Sequence, residues 1–376
     1  MQTALARARE ARLKVERLET SAYTIPTSQP EADGTIAWDS TTVVIVEAVA
    51  SSGQRGLGLT YASKAAGVLV EDQLSHAVIG QPVEDVPASW QAMVDAVRNV
   101  GRPGIAATAI SAVDMALWDL NARVAGLPLF KLLGAVRDHV PVYGSGGFTT
   151  YSEGELIEQL GGWVAQGIER VKMKIAKGWG ARDAEDIARI RAVRKAIGPT
   201  PELFVDANGG YTAKQALYVA REVAGDGVTY FEEPVSSDHL DQLALVRRSA
   251  TMDVAAGEYA YDPWYIRDML AAQAVDIIQA DVTRCLGISG WLQAAHIAYG
   301  FGIPFSAHCA PTIHAQVGCA VPQISHLEYF WDHSRIDSLI FDGAPLPQGG
   351  CLRPDPSRPG LGIDLKRADA DQWRIM

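Results

Sequence analysis

Arg170-Val-Lys-Met-Lys-Ile175, Leu203-Phe-Val-Asp206, Tyr230-Phe-Glu232, Val254-Ala-Ala-Gly-Glu258, Ile277-Ile-Gln-Ala-Asp281, Ile303-Pro-Phe-Ser-Ala-His308 and His326-Leu-Glu328 follow one another through the second half of the chain. Each is a short apolar run that carries an acid or a base at its end, the pattern of a buried parallel strand. The terminal polar residues lie about one strand-plus-helix unit apart. A chain repeating that unit closes into a barrel whose C-terminal strand ends converge on one site. Residues distant in sequence are therefore expected to meet.

Working outward, the runs are separated by helix signals. Ser152-Glu-Gly-Glu155 and Thr212-Ala-Lys-Gln215 are capping boxes, and the residues after the first are apolar at helical spacing. Val140-Pro-Val-Tyr143 should open the barrel. Upstream, residues 13–62 read as antiparallel strands around a turn at Ser51-Ser-Gly-Gln54, and residues 62–133 as helices. Pro26 to Ser40, rich in Pro, Ser, Gly and acids, reads as a functional loop. The expected architecture is α/β: residues 1–135 form an α+β capping domain, 136–350 a modified TIM barrel, and 351–376 a segment packing back on the capping domain. After Phe330 the chain turns Gly- and Pro-rich and is expected to leave the barrel.

Gross numbers bound the function. With 376 residues, 48% hydrophobic and 20% charged, the chain is an ordinary folded domain pair. A formal charge of -11 argues against nucleic acid. There is no run of 18 apolar residues, so no membrane partner is expected. Residues 1–12 are charged and lack the apolar core of a secretory signal. Cys285, Cys309, Cys319 and Cys351 have no CxxC spacing and read as reduced thiols of a cytoplasmic protein; Cys309, after His308, reads as a small buried side chain.

Asp206, Glu232 and Glu258 end three consecutive strands. Three carboxylates converging in a partly buried site need a cation, because burial and mutual repulsion would otherwise protonate them. All-oxygen ligation points to Mg2+; zinc would favour His or Cys. Asn208 lies two residues beyond Asp206 and would share its face, touching the metal shell or a substrate oxygen, or else serve as a turn residue in Ala207-Asn-Gly-Gly-Tyr211. Glu233 should point away and be structural.

Lys172 and Lys174 alternate with Val171, Met173 and Ile175, which places both amines inside the barrel. Cα atoms roughly 6.6 Å apart imply a mutual repulsion of about 2.5 kcal/mol at an effective dielectric near 20. A nearby magnesium would add to this, so that one lysine is expected to be neutral near pH 7 and available as a base. His308 and Asp281 end neighbouring strands, so the carboxylate should fix the imidazole tautomer and make His308 a general base. Glu328 would donate a hydrogen bond to a developing oxyanion if burial keeps its proton.

These residues resemble the enolase superfamily, and within it the mandelate racemase subgroup. The likeness spans most of the chain: the helix signature Ala109-Ile-Ser-Ala-Val-Asp-Met-Ala-Leu-Trp-Asp-Leu120, then Lys172-Met-Lys174, Val205-Asp-Ala-Asn208, Glu232-Glu-Pro234, Gly257-Glu258, Asp281, His308 and Glu328 in family order. The resemblance implies a (β/α)7β barrel and Mg2+ on Asp206, Glu232 and Glu258. It implies Lys174 as one base, His308 with Asp281 as the opposing one, and Lys172 and Glu328 on the substrate carboxylate. The muconate-cycloisomerase subgroup is similar but carries a lysine where this chain has Asp281. Family chemistry is removal of the proton α to a carboxylate. Return of a proton by His308 gives a racemase or epimerase; protonation of a β-hydroxyl gives a dehydratase. Members with this base set are mostly acid sugar dehydratases, which makes dehydration of an aldonate or aldarate the leading expectation. The loop with Ser28, Gln29, Glu31, Asp33, Trp38 and Asp39 is expected to cover the site, with Trp38 touching substrate. A homo-oligomer, dimer or octamer, is the family expectation. A non-catalytic barrel scaffold is the distant alternative.

Overall fold

The computed structural model describes residues 12–376, so the charged segment before Arg12 lies outside the described residues. Its order of elements follows from two periodicities. Alternating apolar residues build an antiparallel sheet of β1 (Val15–Ala32), β2 (Ala37–Ala50) and β3 (Arg55–Tyr61), ordered β1-β2-β3. Helical spacing then takes over, and the helix Ile105–Ala125 packs across β2 and β3. Its small residues let it approach closely: a Cβ on Gly58 would stand 2.0 Å from Ala112 O.

Eight parallel strands follow: β4 (Val140–Gly146), β5 (Arg170–Lys174), β6 (Glu202–Asp206), β7 (Val228–Glu232), β8 (Asp253–Ala256), β9 (Ile277–Ala280), β10 (Phe305–Ala307) and β11 (Ile324–Phe330). They hydrogen-bond in sequence order, and β11 pairs with β4 to close the barrel. Both capping boxes form as read, at Ser152–Glu155 and Thr212–Gln215. The capping helix is keyed to the barrel through Asp114, which accepts from Ser289 N–H at 2.9 Å and Ser289 Oγ at 2.7 Å at the start of the helix Gly287–Phe301. Trp118 Nε1 donates to the same hydroxyl at 2.9 Å.

Two readings need correction. Pro26 to Ser40 is mostly strand: β1 and β2 continue through it, with a register shift between Pro26 and Glu31 and only a tight turn at 33–36. Pro26 and Pro30 broke the alternation that would have revealed it. The chain does not leave the barrel directly after β11, because the helix Trp331–Ile340 intervenes. The final segment starts on the barrel, where Cys351–Leu352 pairs antiparallel with β4. It then reaches the capping elements: Leu361 N–H donates to Asp119 Oδ1 at 2.5 Å, and Ile375 N–H to Ala22 O at 2.8 Å.

Candidate active site

The barrel register sets three polar side chains at one level, because Lys174 is opposite Asp206 and Asp206 is opposite Glu232. Lys172, one pleat lower, is level with Phe204 and Tyr230. Val171, Met173 and Ile175 pack outward in the core, as their alternation requires. Glu258 stands two residues past β8. It follows Gly257, whose φ of +135° and 2.0 Å approach of a hypothetical Cβ to Gln279 O admit no side chain.

Carboxylate oxygens of Asp206, Glu232 and Glu258 lie within 4.8 Å of one another. Both lysines lean into them. Lys172 Nζ is 2.6 Å from Glu232 Oε1, 2.7 Å from Glu328 Oε1 and 3.3 Å from Asp206 Oδ2, while Lys174 Nζ is 2.5 Å from Asp206 Oδ2. Taken as side chains alone, the cluster is short of positive charge. Four carboxylates (Asp206, Glu232, Glu258, Glu328) against two ammoniums leave a formal −2. Burial and the neighbouring Asp206 accordingly push the Glu232 carboxyl well above its usual range. Glu258 Oε2 is buried without any hydrogen bond. An orphaned oxygen in an all-carboxylate triad with this charge deficit is a fit for Mg2+.

Taken as side chains alone, without the charge of a cation, the same electrostatics runs against two expectations. Burial lowers the lysine pKa values, but the carboxylates outweigh both burial and lysine–lysine repulsion, so both amines are held above their ordinary value. Burial likewise fails to keep the proton on Glu328, because Lys172, His308 and Lys174 hold it well below the carboxylate range. Glu328 is therefore an acceptor, taking hydrogen bonds from Ser145 Oγ at 2.6 Å and Cys309 N–H at 2.8 Å.

His308 Nδ1 lies 2.8 Å from Asp281 Oδ2. Burial opposes ionisation of Asp281, yet the His308 hydrogen bond and Arg284 hold it below its ordinary range. An ionised acceptor places the proton on Nδ1 and leaves Nε2 as the lone pair, facing the Cys309 thiol at 3.3 Å and 3.4 Å from Glu258 Oε2. His308 and Lys174 thus flank the carboxylate cluster, one beside Glu258 and the other beside Asp206.

Above them lies a cavity of about 550 Å³, roofed by the capping domain. Lys174, Asn208, Glu258, Arg284 and His308 line its barrel side, and Trp38 and Tyr61 its roof. Lys172, Asp206, Glu232 and Glu328 lie beneath this floor rather than along it. Asn208 reaches the cavity from a turn with φ of +45°, not from the strand face. Its N–H donates to Asp206 Oδ1 at 2.9 Å and its Oδ1 has no partner. Trp38 is fixed by donating to Glu31 Oε2 at 3.0 Å and by an edge contact with Phe148. Glu233 is buried, and burial together with Glu258 pushes it well above its ordinary range.

Three contributors escape a reading of strand ends. Gln279 Nε2 donates to Glu232 Oε2 at 2.8 Å from below, braced by the Tyr230 hydroxyl at 2.9 Å. Its position two residues before Asp281 could have flagged it. Arg284 donates to Glu258 O at 3.1 Å and stands 3.6 Å from Asp281 Oδ2, tying two strand ends together. His333, neutral because burial lowers it to about 3, stacks on Tyr61 at 3.4 Å. Nothing in the sequence before β11 announces that contact.

Comparison with known proteins gives a consistent picture. Residues 20–134 match the family described as mandelate racemase / muconate lactonizing enzyme, N-terminal domain, and residues 155–370 match enolase C-terminal domain-like. An arabinonate dehydratase of Saccharolobus solfataricus is 31% identical over 88% of this chain and 90% of its own length. A mandelate racemase/muconate lactonizing enzyme-like protein from Rubrobacter xylanophilus superposes with a TM-score of 0.93 at 52% identity, covering 96% of this chain and all of that one. L-talarate dehydratase from Polaromonas sp. JS666, solved with Mg and L-glucarate, superposes with a TM-score of 0.88 at 27% identity, covering 97% of this chain and 98% of its own. Among the described residues, no helix is long and apolar enough to cross a membrane.

Proposed function

The chain belongs to the mandelate racemase/muconate lactonizing enzyme family of the enolase superfamily, and from that premise we propose that it is a Mg2+-dependent acid sugar dehydratase. It removes the proton α to the carboxylate of an aldonate or aldarate, expels the β-hydroxyl and yields a 2-keto-3-deoxy acid. The observation that carries the α-proton chemistry is the placement of Lys174 and His308 in one cavity, at two ends of the Asp206–Glu232–Glu258 cluster, and the similarity to arabinonate and L-talarate dehydratases favours dehydration.

Asp206, Glu232 and Glu258 would hold the cation. When bound, Mg2+ supplies positive charge for the developing oxyanion and engages the Asp206 carboxylate that otherwise clamps Lys174. Lys174 takes the α-proton. Lys172 and Glu328 bind the substrate carboxylate, Lys172 as the charge partner and Glu328 through the position it fixes for that amine at 2.7 Å. His308, its Nδ1 proton anchored on Asp281, first takes a proton from solvent on Nε2 and, as the imidazolium, delivers that proton to the departing β-hydroxyl, which leaves as water. The resulting enol tautomerises to the ketone. Asn208 and Trp38 contact the polyhydroxy chain in the cavity, and the capping sheet excludes bulk water. Assembly as a dimer or octamer in the cytoplasm is the accompanying expectation, tested by light scattering on the purified protein.

The test is a screen of aldonate and aldarate salts for keto acid by semicarbazone formation, with and without Mg2+. Keto acid from at least one salt, dependent on Mg2+, is expected. Uptake of deuterium at the α carbon in heavy water with no keto acid from any salt would replace the dehydratase by a racemase or epimerase.

A further inference from the structure

Beside the all-oxygen cluster, the seventh and eighth barrel strands assemble a donor set of different character. His308 Nε2 lies 3.3 Å from Cys309 Sγ and 3.8 Å from Glu328 Oε2, and one donor atom from each of the three residues lies within 4.8 Å of the others. Neighbouring residues in a regular strand point to opposite faces. Here β10 ends at Ala307, and left-handed φ values of +50° at Cys309 and +39° at Ala310 turn the thiol back onto the imidazole.

We propose that His308, Cys309 and Glu328 form a binding site for a thiophilic divalent cation of the zinc class, separate from the Mg2+ site, whose occupancy captures the free nitrogen of His308. Zinc bonds of about 2.0–2.1 Å to nitrogen or oxygen and about 2.3 Å to sulfur put the ligand atoms of a tetrahedral site about 3.4–3.6 Å apart. The two separations above need to move by only a few tenths of an ångström. The surrounding hydrogen bonds are those of a metal-bound histidine: Asp281 holds Nδ1 at 2.8 Å and leaves Nε2 as the donor atom. Glu328 Oε2 is fixed by the Cys309 N–H at 2.8 Å and keeps a lone pair for a cation. His308 and Cys309 line the cavity, so a cation has an approach from solvent. Binding releases one proton, from the Cys309 thiol to solvent, and forms one metal–sulfur bond; affinity therefore rises with pH. Mg2+, which takes oxygen ligands, does not compete for the thiol.

Binding stands on this geometry alone. Its consequence, inhibition, rests on the proposed proton transfer by His308. The test titrates the full-length protein, held in excess Mg2+, with Cd2+, reading the thiolate-to-cadmium charge-transfer absorption, and measures keto acid formation against added Zn2+. Wild type should show a one-equivalent band and chelator-reversible inhibition by Zn2+. Cys309→Ser and, as a second variant against misfolding, Cys309→Ala should lose the band and raise the Zn2+ needed for half inhibition, each read against that variant's own turnover. That rise should exceed the roughly 10–100-fold that loss of an outer-shell partner costs. No band in wild type, or an unchanged band and inhibition in both variants, overturns the site. A Cys309-dependent band without inhibition upholds the site and removes His308 from the reaction instead.

Discussion

Replacing Asp281 by asparagine should disable His308 while leaving its shape intact. Asp281 Oδ1 accepts two hydrogen bonds from Thr283, from the N–H at 2.7 Å and from Oγ1 at 2.7 Å, so an amide at this position keeps its oxygen there. Its NH2 group then faces His308 Nδ1, where Asp281 Oδ2 lies at 2.8 Å. A donor replaces an acceptor, Nδ1 becomes the lone pair, and the ring proton moves to Nε2. A neutral ring with its proton on Nε2 cannot accept there, and it is far too weak an acid to help a hydroxyl leave. In serine proteases the same exchange lowers turnover about 10⁴-fold, equivalent to about 5.4 kcal/mol of transition-state stabilisation. The assay is kcat for keto acid formation at saturating Mg2+, with Mg2+ affinity and melting temperature measured on the same samples. A loss near 10⁴ in kcat, with Mg2+ affinity within a few-fold of wild type, is expected. The reasoning is refuted if folded Asp281→Asn protein works within about tenfold of wild type.

Gln279→Leu removes the buried donor beneath Glu232 at little change in volume, and should weaken Mg2+ binding about 10–100-fold, read by calorimetric titration without substrate; unchanged affinity would show that Glu232 needs no such brace. Glu31 is buried with Oε1 unpartnered, and burial together with Asp332 raises its carboxyl to about 8. The folded state therefore binds this proton more tightly than the unfolded chain. Its contribution to stability is complete below the ordinary glutamate value of 4.5 and is lost as pH rises toward about 8. Glu31→Gln should accordingly gain melting temperature relative to wild type as pH increases across that window; a difference independent of pH in thermal scans would contradict this assignment.

The sequence carries the barrel because burial on both faces forces apolar runs, so an acid or base at a run's end stands out. That is how Asp206, Glu232, Glu258, Asp281, His308 and Glu328 are legible one by one. Lys172 and Lys174 are legible as a pair because Val171, Met173 and Ile175 take the other face. Charge states are not legible in the same way. They depend on which groups end up nearest: distance along β5 suggests that the lysines repel, while Glu232, Glu328 and Asp206 at 2.6–3.3 Å from Lys172 decide the outcome. The roof over the site is obscured for a different reason. β1 and β2 form a half-exposed ribbon there, and its polar residues and prolines imitate a loop. Gln279 and Arg284 act through neighbours on other strands, which a reading of one run at a time does not reveal.

The central claim is that Asp206, Glu232 and Glu258 gather around one divalent ion between Lys174 and His308. Crystals grown in excess Mn2+, a stand-in for Mg2+, and measured at the manganese absorption edge test it directly. The account expects one anomalous peak about 2.1 Å from an oxygen of each of the three carboxylates, with Lys174 and His308 on either side. A peak elsewhere, or none at that cluster, would contradict it.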